Sequence, residues 1–378
     1  MIAQVIHISS EEVFKKYSEI IDSDLFLYEP GSYLLELKET SGKDIDLLKN
    51  NIQEDKKIFL YKSNSSDKYC IHGNISEIKS IFNNFPEGEL SNKINIVLHN
   101  YLNYNLKLYR IGNKEFNFDK AYVMGILNVT PDSFSDGGLY INSDDAVEHA
   151  LEMINDGADF IDIGGESTRP GSDIVTEDEE LERVIPVIKK ILSAEPETII
   201  SIDTTKSKVA EEAIKIGVKI ANDISGATFD EEMLTVVKKY DASVVLMHMK
   251  GTPKTMQQNP YYENVMEEIY DFLFERIKAA DELGIENIFV DPGIGFGKRI
   301  DDNFEILRRL EDLKSLGYPI VVGASRKSFI GKTLNLDITE RDTATAITES
   351  IAVKNGARII RTHNVKYGKQ VCELLNNF

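Results

Sequence analysis

Residues 124–138 read Met-Gly-Ile-Leu-Asn-Val-Thr-Pro-Asp-Ser-Phe-Ser-Asp-Gly-Gly, and the change of character within them decides the fold. The run from Tyr122 to Leu127 is apolar and stops at Asn128, the pattern of a strand buried on both faces. Beyond it come Thr, Pro, Asp, Ser and paired Gly, which is loop chemistry. Phe134 sits inside that polar stretch, where it either folds back onto the core or covers a ligand. The stretch alone leaves both readings open. The plan of apolar strand followed by polar tip then recurs seven more times.

Strands are expected at 121–128, 160–164, 199–203, 219–223, 243–247, 287–291, 320–323 and 358–362, and helices at 143–155, 178–193, 206–216, 231–240, 264–283, 301–316, 343–355 and 364–376. Gly157, Gly217, Gly284, Gly317 and Gly356 fall just past helix ends, where a left-handed residue closes the last turn. Eight βα units in roughly 250 residues predict an α/β fold of the closed (β/α)8 TIM-barrel type. The alternative, an open doubly wound sheet, rarely carries so even a repeat. A hairpin at 107–110 and 115–118 precedes the first barrel strand and is expected to plug the bottom of the barrel.

Residues 1–104 alternate shorter helical and extended segments. A capping box, Ser9-Ser10-Glu11-Glu12, opens a helix that runs to residue 21. Strands are expected at 26–28, 33–37, 58–61 and 69–71, and helices at 44–52 and 75–82. No catalytic constellation stands out among these residues. The domains are therefore a small α/β N-terminal domain at 1–104 and the barrel at 105–378.

The chain has 378 residues, 42% of them hydrophobic, and a net charge of −20. A sizeable core is possible, and the acidic field argues against partners such as duplex nucleic acid or an anionic membrane surface. No apolar run reaches transmembrane length, and residues 1–7 lack the basic start and apolar stretch of a signal peptide. Cys70 and Cys372 lie far apart without metal-type spacing, which points to free thiols in a soluble cytoplasmic protein.

In barrels of this kind the active site lies at the C-terminal ends of the strands. Those ends read Asn128, Glu166, Asp203, Asn222 with Asp223, His248, Asp291, Ser325 with Arg326 and Lys327, and Arg361 with His363. Eight converging polar termini are hard to explain as packing alone. Arg361 and His363 lie two apart on one strand end, so their side chains can face the same way. Asp291-Pro-Gly-Ile-Gly-Phe-Gly-Lys298 suggests a P-loop, but its spacing fails and no Ser or Thr follows the lysine.

Three stretches closely resemble the dihydropteroate synthases: residues 124–138, residues 157–172 (Gly-Ala-Asp-Phe-Ile-Asp-Ile-Gly-Gly-Glu-Ser-Thr-Arg-Pro-Gly-Ser) and residues 323–330 (Gly-Ala-Ser-Arg-Lys-Ser-Phe-Ile). The segment from Asp291 to Lys298 and Arg361-Thr362-His363 extend the match, and motif order is preserved from the hairpin to the C-terminus. The resemblance implies condensation of 6-hydroxymethyl-7,8-dihydropterin pyrophosphate with 4-aminobenzoate, giving 7,8-dihydropteroate and pyrophosphate. It implies that Asp203, Asn222, Asp291 and Lys327 bind the pterin, with Met247 and Phe296 as walls. It assigns Thr168, Arg169, Pro170, Phe134 and Ser328 to 4-aminobenzoate, and Asn128, Arg361 and His363 to the diphosphate. Asn128 would also coordinate Mg²⁺, the implied cofactor. Arg361, Lys327, His363 and Arg169 are the catalytic set by this reading, and a homodimer is implied.

The residue chemistry suits this reading. A pterin edge presents an array of donors and acceptors, and a buried carboxylate is costly unless it meets such donors. Both aspartates could instead cap a following helix or bond loop amides, Met247 could be core, and His363 could be a surface histidine. Asn364 stands where the family commonly has aspartate, which puts in doubt a carboxylate that orients His363. His149 and His248 are read as solvated or hydrogen-bonded packing residues. The competing enzyme reading is a pterin-dependent methyltransferase that delivers methyl to a corrinoid. Such an enzyme needs neither a diphosphate clamp nor a Ser-Thr-Arg-Pro-Gly loop. The non-enzyme alternative is a pterin-binding module.

Overall fold

The computed structural model describes residues 1–21, 26–52, 58–63, 68–104, 108–130, 143–167 and 175–378. The chain divides into two compact units, one of Met1–Tyr104 with Glu311–Gly317, the other of Asn105–Leu310 with Tyr318–Phe378.

The first unit is built on β1 (Ile2–Ile8), α1 (Glu11–Ser18), β2 (Ser32–Lys38), α2 (Gly42–Ile52), β3 (Phe59–Lys62), β4 (Lys68–Gly73), α3 (Ile75–Asn83) and α4 (Glu89–Leu102). Its antiparallel sheet has the order β1-β2-β4-β3. Alternation sends Ala3, Val5, Leu35 and Leu37 into one core and Ile6, Ile8 and Leu34 into the other. Ser10 rather than Ser9 caps α1, accepting from the Val13 amide at 3.3 Å, so the third helical position is Val13 and not the Glu12 of the expected capping box. Three elements depart from the sequence reading. Residues 26–28 form no strand: Phe26 instead packs its ring against Phe14, Tyr61 and His72, which buries it without pairing its backbone. The strand Ile2–Ile8 and the helix Glu89–Leu102 were not anticipated.

A fourth departure involves the helix expected at 301–316. It ends as α-helix at Arg308, and Leu310–Leu316 forms a 3-10 helix. Its polar side chains cover the free edge of β1. The Val5 amide donates to Ser315 Oγ at 3.0 Å and the His7 amide to Asp312 Oδ1 at 3.2 Å. His7 Nδ1 lies 2.6 Å from Glu311 Oε1, and the Tyr101 hydroxyl donates to Glu311 Oε2 at 3.2 Å. Unpaired edge donors are thus satisfied by side chains rather than by another strand.

The second unit opens with the hairpin β5 (Leu108–Ile111) and β6 (Lys114–Asn117). The barrel strands follow as β7 (Tyr122–Asn128), β8 (Phe160–Gly164), β9 (Ile199–Asp203), β10 (Ile220–Asp223), β11 (Ser243–Met247), β12 (Ile288–Asp291), β13 (Ile320–Val322) and β14 (Ala357–Thr362). All pair in parallel and β14 closes onto β7, so the chain forms the expected (β/α)8 barrel. Tyr109, Ile111, Phe116 and Phe118 of the hairpin region pack against Tyr122, Met124, Phe160, Ile199, Ile220, Phe289 and Ile359, the first halves of the strands. The hairpin therefore fills the N-terminal end, as its place in the sequence suggested. The expected helices are present with small shifts at their ends, and one more, Ser328–Leu334, follows β13. The five glycines past helix ends all take positive φ.

Candidate active site

Parallel pairing brings the strand ends to one rim. Asn222 lies in register with Asp203, Met247 with Asp291, and Asn128 with Gly164. Across this rim Arg361 Nη2 donates to Asp203 Oδ2 at 2.6 Å, and Arg361 Nε to Asp162 Oδ2 at 2.6 Å. Asn222 Nδ2 donates to that same Asp162 oxygen at 3.0 Å, and Asp162 Oδ1 has no hydrogen-bond partner among the described residues. One guanidinium thus ties two buried carboxylates and an amide into a network, and the expected pterin and diphosphate residues meet directly in Arg361.

Burial drives the protonation chemistry. It pushes Asp203 up to about 7, with Arg361 opposing the rise and Asp162 adding to it. Burial raises Asp291 to about 6, opposed by the Gly293 amide, which donates to Asp291 Oδ1 at 2.6 Å, and by Lys327 and Arg361. Loop-amide bonding, the plainer reading of Asp291, is therefore present, yet it leaves the second oxygen for other partners. Lys327 is lowered to about 8, first by burial and then by Arg361. Its ammonium lies 4.0 Å from the centre of the Phe296 ring, a cation–π contact. Phe296 and Met247 share one apolar cluster with Ile224 and Met256, so the two expected walls do come together.

The Phe296 loop is fixed by its glycines and by a buried lysine. Gly293 has φ +68°, and a Cβ there would lie 2.0 Å from the His248 carbonyl; at Gly297, with φ +64°, it would lie 2.4 Å from the Lys250 carbonyl. Only glycine permits that approach. Lys298 Nζ donates to His248 Nδ1 at 3.0 Å, to the His248 carbonyl at 3.2 Å and to the Phe296 carbonyl at 3.1 Å. Burial lowers Lys298 to about 7 and holds His248 well below its ordinary value. His248 is thus a hydrogen-bonded packing residue, and His149 lies at the surface 3.4 Å from Glu152.

Past the ends of β13 and β14, His363 Nδ1 lies 3.0 Å from Ser325 Oγ. Asn364 caps the last helix by accepting from the Tyr367 amide, and its Nδ2 donates to Asp342. A carboxylate, Asp342, therefore stands near His363 even though residue 364 is an amide. Ser328 is exposed and opens the helix Ser328–Leu334. Asn128 is half-buried at the end of β7. Phe134, Thr168, Arg169 and Pro170 lie outside the described residues. Lys206 pairs with Glu166 and, at 2.6 Å, with the buried Glu180, while the Val175 amide donates to Glu166 at 3.4 Å.

Asp162, Lys298 and Ser325 carry geometry that the sequence reading did not assign. Asp162 had a usable signal: an acid amid Phe-Ile-Asp-Ile-Gly, inside a strand apolar on both sides, requires a buried partner.

A closed barrel whose mouth holds two cations among three buried carboxylates is a site for a polar ligand of mixed charge. The family model described as Pterin binding enzyme matches residues 124–363. A dihydropteroate synthase of Clostridium beijerinckii is 49% identical over 260 residues, 68% of this chain and 94% of that protein. A Yersinia pestis dihydropteroate synthase in a sulfonamide complex superposes with a TM-score of 0.67 and 40% identity, covering 72% of this chain and 98% of that one. A Xanthomonas albilineans dihydropteroate synthase with 4-aminobenzoic acid gives 0.67 and 37%, covering 71% and 97%. The chain belongs to the dihydropteroate synthase family of pterin binding enzymes.

Proposed function

We propose that the barrel joins 6-hydroxymethyl-7,8-dihydropterin pyrophosphate to 4-aminobenzoate, the ligand held by the Xanthomonas albilineans relative. The observation that carries this reading is Arg361, bonded to Asp162 and Asp203 while Asn222 shares Asp162. That network presents acceptors to a pterin edge and a cation to an anionic tail from one pocket. Asp203, Asn222 and Asp291 receive the ring's N–H groups, Lys327 bonds its acceptor edge, and Met247 and Phe296 line its faces. Arg361 and His363 hold the diphosphate. Thr168, Arg169, Pro170 and Phe134, with Ser328, form the 4-aminobenzoate pocket.

In the reaction the bond from the pterin methylene carbon to the diphosphate oxygen breaks and the electron pair leaves with pyrophosphate. The amine lone pair of 4-aminobenzoate then forms the new C–N bond, and the amine loses one proton. Arg361 and His363 stabilise the charge that develops on the departing oxygen. The pocket excludes water from the electron-poor methylene. Asn128 fits Mg²⁺, because it offers a hard amide oxygen at the half-buried mouth and its side chain has no partner among the described residues. When bound there, the ion supplies Lewis-acid neutralisation of the leaving group.

The protein is a homodimer by this reading, and Ile347 and Ile351 with Tyr367 and Leu374 expose apolar surface on two neighbouring helices. A cytoplasmic location accords with two buried free thiols, and none of the described helices is long and apolar enough to cross a membrane. The test is product formation. Both substrates with Mg²⁺ should yield dihydropteroate and one pyrophosphate, while a methyl-pterin with a corrinoid acceptor should give no methyl transfer. The reverse pattern would assign the barrel to the methyltransferases.

A further inference from the structure

Behind His363 lies a buried carboxyl that the proposed chemistry does not use. Glu349 is 0% exposed, on the helix Asp342–Lys354, and among the described residues neither of its oxygens makes a hydrogen bond of ordinary geometry. The groups acting on it are Thr362, itself 1% exposed, with Asp342 and the Cys372 thiol. Thr362 Oγ1 donates to Ser325 Oγ at 3.4 Å, and the His363 amide donates to that same oxygen at 3.1 Å. His363 Nδ1 lies 3.0 Å from it as well.

Counting donors fixes the direction of this chain. A hydroxyl has two acceptor sites and one hydrogen. Both acceptor sites of Ser325 are filled, by a backbone N–H that can only donate and by the Thr362 hydroxyl. Its own hydrogen must therefore go to His363 Nδ1. Thr362, having given its hydrogen to Ser325, has only acceptor capacity left to offer Glu349. A carboxyl donates only when protonated, and burial without a cation keeps Glu349 in that form: its acidity is shifted up to about 8. Asp342, the carboxylate near His363, is occupied by Arg326 at 2.6 and 2.9 Å and by Asn364 at 2.9 Å.

We propose that Glu349, Thr362 and Ser325 are positioning residues that hold His363 as the neutral tautomer with its hydrogen on Nε2. That hydrogen is a donor for an anionic oxygen, the diphosphate's under the function proposed above. Tautomers are inferred from hydrogen-bond networks rather than seen directly, so the measurement must report on the ring. Full-length protein labelled with ¹⁵N at histidine is recorded ligand-free at neutral pH, with His363→Asn identifying the resonances. Wild type should show Nδ1 unprotonated and Nε2 protonated. Ser325→Ala should give a tautomer mixture, and Ser325→Thr should restore the wild-type pattern. Glu349→Gln, whose amide can also donate to Thr362, should keep that pattern. With both substrates, Ser325→Ala should lower kcat roughly tenfold or more and leave KM for 4-aminobenzoate unchanged. A wild-type ring protonated at Nδ1, or a Ser325→Ala spectrum identical to wild type, would overturn the proposal. The spectra are read without substrate, so they stand whether or not the proposed turnover is observed.

Discussion

Arg361 Nη2 and Asp203 Oδ2 lie 2.6 Å apart, so a residue assigned to the leaving group also compensates a carboxylate assigned to the ring. Removing the cation leaves Asp203 and Asp162 buried together without the guanidinium that bonds both, and with only the more distant charge of Lys327 acting on Asp203. Breaking a buried pair in this way costs about 3–5 kcal/mol. Arg361→Ala should therefore lower the denaturation midpoint, and adding Asp162→Asn should recover part of the loss. Equilibrium unfolding of the single and double variants checks this. Additive losses would mean that the pair contributes nothing.

Glu349 provides a pH signature with a definite sign. Its folded-state value, about 8, is above the ordinary carboxyl value of about 4.3. The folded state keeps a proton that the unfolded chain releases, so the contribution is full below about 4 and is lost as pH rises toward about 8. Glu349→Gln removes that dependence. Thermal midpoints of the two ligand-free proteins, taken from pH 4.5 to 8.5, should show the variant gaining on wild type as pH rises. Parallel curves would indicate that Glu349 titrates normally.

Lys298 joins the His248 and Phe296 segments through three acceptors. Lys298→Met keeps the apolar length and leaves those acceptors buried without a donor, at about 1–3 kcal/mol per group. Lower thermal stability and a KM for the pterin substrate raised roughly tenfold are expected, with KM for 4-aminobenzoate little changed. Steady-state kinetics distinguishes this from a general loss of active protein, which would lower kcat alone.

All the described residues assigned to chemistry lie between Asn128 and His363. A shortened chain beginning at Asn105 should therefore turn over with both KM values within a few-fold of the full protein. It should also be less stable, because Ser315, Asp312 and Glu311 lose Val5, His7 and Tyr101 as partners. Each such bond is worth about 0.5–1.5 kcal/mol. Folded protein without turnover would show that residues 1–104 take part in the reaction.

The barrel was legible because strands buried on both faces are written as continuous apolar runs. Phe160–Gly164, Ile199–Asp203 and Ser243–Met247 begin and end where the sequence placed them. Asp203, Asn222 and Asp291 were legible because they interrupt such runs at their ends. Asp162 was not, because it lies mid-strand and its cation is 199 residues away. The passage of Glu311–Gly317 into the first unit was hidden for a related reason. Its helical periodicity continues from Ile300, whereas the partners that end the α-helix are Val5 and His7, some 300 residues earlier. Residues 26–28 show the converse error: an apolar run read as a strand exposes Leu27 and Tyr28 and pairs with nothing.

The central claim is that one pocket holds the pterin ring on carboxylates and the diphosphate on basic groups. Titration calorimetry with the pterin alcohol and with its pyrophosphate ester tests it most directly, using wild type, Asp291→Asn and His363→Ala. Asp291→Asn should weaken both ligands at least tenfold, whereas His363→Ala should weaken only the pyrophosphate ester. Equal losses for both ligands in both variants would contradict the account.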